Sequence, residues 1–113
     1  MTIDDLKNYG ADIESGLRRC MNNESFYLRL VSMTCEDANF KKLYDALEAK
    51  DLDLAFDAAH ALKGACSNLA LTPLVEPAVE ITENLRAKTD MDYSNLIAKI
   101  KEAQKKLIEI VKE

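Results

Sequence analysis

Residues 59–64 read Ala-His-Ala-Leu-Lys-Gly, and His60 is the single histidine of the chain. An imidazole is mostly uncharged at neutral pH, so a ring nitrogen keeps a lone pair that can attack an electrophile such as phosphorus without a helper base. At about 100° per residue, Leu54, Ala55, Ala58, Ala59, Leu62, Ala65, Cys66 and Leu69 gather on one side of a helix, and His60 faces away from them. Phe56, Lys63, Gly64 and Ser67 share its face. The pattern predicts an exposed nucleophile with a cation one turn away and two small neighbours that leave room above it.

Each neighbour has a chemical reading. A phosphorylated imidazole gains negative charge, which Lys63 can offset by about 1 kcal/mol while exposed and by more once a partner excludes water. In-line transfer to an acceptor needs an uncluttered donor surface, which Gly64 and Ser67 supply. A glycine inside a helix costs about 1 kcal/mol relative to alanine, so Gly64 implies a packing or access reason. Phe56 has two readings, an apolar anchor for a partner or an edge of the core. Asn68 completes the candidate partner-facing set. A solitary histidine on a polar face is ordinarily just solvated; the offsets of Lys63 and Gly64 are what turn His60 into a site.

Composition excludes several classes. Lysine and arginine total 15 against 20 acids, a net charge of -5, whereas a nucleic-acid backbone is held by clustered cations. No apolar run approaches the roughly 20 residues of a membrane span, and Met1-Thr2-Ile3-Asp4-Asp5 lacks the basic start and apolar run of a secretion signal. A cytoplasmic monomer is expected. Cys20, Cys35 and Cys66 are odd in number and far apart, so neither a disulfide framework nor a zinc site is expected; Cys66 reads as a small core residue. No metal and no cofactor are expected. There is no Gly-x-x-x-x-Gly-Lys loop and no glycine-rich lid, which argues against self-phosphorylation from ATP.

The elements that must hold His60 read as helix after helix. With 3 glycines, 2 prolines and no sustained alternation, nothing suggests a sheet. Short helices are expected over 3–9, ended by Gly10, and from Asp12 to about Met21. Asn23 caps a third, carrying Phe26, Leu30 and Met33; whether it breaks at residues 36–39 or runs on through Phe40, Leu43, Tyr44 and Leu47 stays open. Asp51 or Asp53 caps the histidine helix, which runs to about Ala70. Thr72 reads as the next cap with Pro73 behind it, and Pro77 implies either a regular start near Glu76 or a kink. Val75, Ala78, Ile81 and Leu85 form its inward stripe. The last helix carries Tyr93, Leu96, Ile97, Ile100, Leu107, Ile108 and Val111, and the lysines of residues 99–106 read as a solvated face. Short loops favour antiparallel neighbours. The expected fold is all-α: a single domain over residues 1–113, an up-and-down antiparallel four-helix bundle with short N-terminal helices capping one end.

Ala59-His60-Ala61-Leu62-Lys63-Gly64 followed by Asn68-Leu69 resembles the signature of histidine-containing phosphotransfer (HPt) domains, the carriers of multistep two-component phosphorelays. The resemblance implies that His60 is the phosphoacceptor, that Lys63 assists the phosphoryl group and that Gly64 clears space for a docking receiver domain. It further implies a phosphocarrier and not an enzyme, with response-regulator receiver domains or a hybrid sensor histidine kinase as partners that supply the kinase activity, the divalent metal and the acceptor aspartate. A glycine commonly follows Asn-Leu in the family, where this chain has Ala70. The phosphoacceptor helix of a sensor kinase is disfavoured by Ala61, because an acidic residue commonly stands there. The alternative is a helical interaction module that binds a signalling partner without being phosphorylated. The Met1 start and compact end suggest a free-standing carrier, and an excised domain of a larger sensor would read the same.

Overall fold

The computed structural model describes residues 1–113 and contains helices alone: α1 (Ile3–Tyr9), α2 (Ile13–Arg19), α3 (Glu24–Thr34), α4 (Ala38–Glu48), α5 (Leu52–Asn68), α6 (Thr72–Arg86) and α7 (Ser94–Val111). Local chemistry sets most starts. Thr2 and Asp5 form a reciprocal capping box at α1, and Asp12, Asn23, Asp37 and Asp51 each accept a backbone N–H at the start of α2 to α5. The open question over residues 24–49 resolves as two helices. Asp37 turns extended (φ -59°, ψ 131°) and its carboxylate accepts the Asn39 N–H at 2.8 Å, which restarts the chain as α4.

Helices α4 to α7 form the bundle. Phe40 and Leu43 of α4, Ala59, Leu62 and Cys66 of α5, Leu74, Ala78 and Ile81 of α6 and Ile100 of α7 converge on one core. The histidine helix α5 lies between α4 and α6. Its alanines at 55, 58 and 59 are fully or almost fully buried, so both neighbours can approach its backbone closely. Burying a side chain such as Leu62 contributes about 1.5–3 kcal/mol. The Lys88–Asp53 ion pair (3.3 Å) joins the C-terminal end of α6 to the start of α5, as an antiparallel pair requires. Helix α7 closes the ring against α4, where the Tyr44 hydroxyl donates to Gln104 Oε1 at 2.8 Å.

The short helices gather at the pole where α5 ends and α6 begins. Helix α1 runs beside the second half of α7, held by the Tyr9 hydroxyl on the Ala103 carbonyl (2.8 Å) and by the N-terminal ammonium on the Glu113 carbonyl (3.3 Å). Leu6 plugs the core from that side.

Several boundaries differ from the sequence expectation. Helix α2 stops at Arg19, and α5 at Asn68. Thr72 is not a cap; it is the first residue of α6, and Leu71 flanks the helix with no side-chain bond. Pro77 neither delays nor splits α6, which is continuous from Thr72 with Pro77 on its buried side. Val75 is half-buried, and Leu74, Pro77 and Thr82 join Ala78, Ile81 and Leu85 inside; the Thr82 hydroxyl is satisfied by the Ala78 carbonyl at 2.6 Å. Leu54 is 48% exposed, because it lies at the edge of the stripe, about a quarter turn from its centre.

Ala70 explains how α5 ends without glycine. It adopts φ 53°, the left-handed region. Its N–H donates to the Ser67 carbonyl and that of Leu71 to the Cys66 carbonyl, both at 3.1 Å, the paired bonds of a Schellman end. Alanine tolerates this turn at a cost of about 1 kcal/mol.

Candidate functional site

The Asp51 carboxylate accepts the Leu54 N–H at 3.0 Å and starts α5, and the apolar stripe then fixes its rotation. As a result His60 is exposed near the middle of the helix. Gly64, one turn on, is exposed too, and a Cβ added there would meet nothing within 4 Å. Ala61 is exposed, and Lys63 and Ser67 are half-buried on the side toward Phe56. No salt bridge of the structure engages Lys63. Asn68 is exposed as the last residue of α5, about a quarter turn off the His60 direction, so it borders the face instead of standing on it.

Phe56 combines its two readings. It is half-buried against the core, yet its ring stacks on His60 with centroids 5.6 Å apart and planes at 19°. Stacking covers one face of the imidazole, while the residue as a whole stays exposed. The Arg86 guanidinium carbon lies 5.0 Å from the Phe56 centroid, and Arg86 also pairs with Glu83 at 3.4 Å. A cation over an aromatic face contributes about 0.5–1 kcal/mol when exposed. Arg86 thus braces the ring that orients His60. Sequence spacing along α5 carries no sign of Arg86, which reaches the site from α6; only the antiparallel register, which sets the end of α6 beside the start of α5, could have suggested it.

The thiols do not belong to this chemistry. All three cysteines are buried, and burial pushes the Cys66 thiol up to about 12, with a smaller contribution from Asp37. A buried thiol of that kind packs and does not react. Of the two acids nearest His60 in sequence, Asp53 is engaged by Lys88 and Asp57 is exposed.

The largest concavity, about 680 Å³, opens at the far pole between Leu47, Leu52, Met91 and Ile97 and does not include His60. The histidine stands outside it, on an exposed helix face. Small molecules are gripped in concave sites, whereas a protruding imidazole suits insertion into a cleft on another protein. No helix is long and apolar enough to cross a membrane.

Comparison with known proteins gives one family. The family model for the Hpt domain matches residues 29–111 of the 113-residue chain. No curated protein and no solved structure matches it.

Proposed function

The chain belongs to the Hpt domain family, and on that premise we propose that it is a phosphorelay carrier whose His60 accepts a phosphoryl group from the aspartate of one receiver domain and passes it to another. Hpt domains are phosphocarriers of phosphorelays and not enzymes. The observation that supports the assignment to His60 is its exposure on an open helix face, with Phe56 stacked behind it and empty space over Gly64.

The lone pair of a ring nitrogen attacks the phosphorus of the aspartyl phosphate. A nitrogen–phosphorus bond forms, the phosphorus–oxygen bond to the aspartate breaks, and the bonding pair leaves with the free carboxylate. The other ring nitrogen keeps its proton, so no general base is required. Onward transfer is the reverse step with the carboxylate of the second receiver as nucleophile. Lys63, one turn away with no salt-bridge partner, faces the charge gained on His60, and its ammonium is strongest once docking excludes water. The exposed helix face and the bare Gly64 let the receiver bring its aspartate in line.

The test is incubation with phosphorylated receiver domains followed by mass spectrometry of the intact protein. Acid-labile phosphate on the wild type supports the carrier; no label from any competent donor leaves a binding module in its place. Lys63→Ala is expected to slow transfer or shorten the phosphorylated state by about fivefold without abolishing it, the equivalent of about 1 kcal/mol. Lifetimes and rates equal to the wild type in that variant remove the lysine from the site.

A further inference from the structure

The matched family segment begins at residue 29, so α1 and α2 lie before it, yet α2 is fixed to the C-terminal end of the histidine helix. The Asp12 N–H donates to the Ala70 carbonyl at 2.9 Å. The buried Tyr27 hydroxyl donates to the Leu69 carbonyl at 2.9 Å. Between these bonds sits Gly16, where a Cβ would stand 2.6 Å from the Tyr27 ring and 2.8 Å from the Leu69 carbonyl oxygen. No side chain fits at that crossing, so the backbone of α2 presses directly on the last turn of α5.

This contact decides where Arg19 goes. Arg19 is exposed at the end of α2, and its Nη1 donates to the Ser67 carbonyl. Ser67 stands two turns from His60, about 10.5 Å along the axis and within about 20° of its direction. Arg19 therefore adds a third cation, beyond Lys63 and the Arg86 that lies over Phe56, on the His60 side of α5 in a chain whose net charge is -5. One nitrogen holds the arginine in place, and a guanidinium has further donors in a fixed fork suited to carboxylates.

Resting on the carrier reading, we propose that Arg19 is a partner-specificity residue: it contacts the acidic surface beside the aspartate of the receiver domain that docks over His60, and α2 selects among receivers by this contact. A receiver with a carboxylate opposite Arg19 gains a pairing there, and one with a cation at that place is repelled. Charge of this kind on an interface sets encounter and partner choice more than chemistry.

The probes are the phosphorylated receiver domains that label the wild type, together with phosphoramidate, a small donor with no docking surface. For Arg19→Glu the KM for a receiver is expected to rise about tenfold with kcat unchanged, and the gap to narrow as salt rises from about 0.05 M to about 0.5 M. Phosphoramidate labelling of His60 should match the wild type, and Arg19→Lys, which keeps the charge without the fork, should fall between the wild type and Arg19→Glu. A wild-type KM in Arg19→Glu, or a loss that phosphoramidate shares, overturns the role of Arg19 while the carrier stands. Failure of the wild type itself to take label from receivers and from phosphoramidate removes the carrier reading, and this inference with it.

Discussion

Replacing His60 by glutamine is expected to abolish phosphoryl labelling altogether and leave the bundle folded. The side chain is exposed and its one recorded contact is the stack on Phe56, worth about 0.5–1.5 kcal/mol beyond burial at most. Substitutions at such surface positions ordinarily move stability by about 0.5 kcal/mol. Glutamine keeps a polar group there but offers an amide nitrogen whose lone pair is delocalised into the carbonyl, so it cannot attack phosphorus. Because the chain has no second histidine, no other imidazole can substitute. Intact mass after incubation with a phosphorylated receiver, read beside the circular dichroism melt, decides the matter: label persisting on a folded His60→Gln protein would falsify the assignment.

Gly64→Gln is expected to separate transfer from stability, moving them in opposite directions. Nothing stands within 4 Å of a Cβ at this position, so glutamine enters without a clash in the free protein. Exchanging a mid-helix glycine for a good helix former then stabilises α5 by about 0.5–1 kcal/mol, a rise of a few degrees in Tm on the scale of about 4–8 °C per kcal/mol for a domain of this size. The same side chain projects into the space a receiver must occupy. A docking penalty of about 1.4 kcal/mol is tenfold, and transfer should slow by at least that much. A variant that melts higher and transfers at the wild-type rate would show that receivers do not approach over Gly64.

The histidine face was legible because helical periodicity alone separates Ala55, Ala58, Ala59, Leu62 and Cys66, all buried, from His60 and Gly64, both exposed. The same periodicity places Phe56 beside His60 but cannot say whether its ring turns inward or outward. In the structure it does both, resting on the core while stacking on the imidazole. Arg86 and Arg19 were not legible, since each reaches α5 from another helix and only tertiary packing brings it there.

Helix ends were the least legible part of the fold, for a definite reason. The reading of C-termini leans on glycine, but Met21, Lys50, Ala70 and Lys88 carry the left-handed turns after α2, α4, α5 and α6 with φ between 52° and 59°. After Ala70 the chain must bury Leu71 at once and accept the Asp12 N–H, which also explains why Thr72 is already helical and not a cap. The break at Asp37 was hidden in the same way, with neither glycine nor proline to mark it and only a carboxylate on the Asn39 N–H to enforce it.

The ring stacked on His60 also opens an optical route to the chemistry. The chain has no tryptophan, so Phe56→Trp would install a lone indole fluorophore at the position whose ring stacks on the imidazole. Its emission, quenched to a degree set by the charge and distance of its neighbour, would change when phosphorus arrives and again when it departs. The ring that orients the histidine could thereby report each transfer in real time, without radioactivity and without a label attached to either protein.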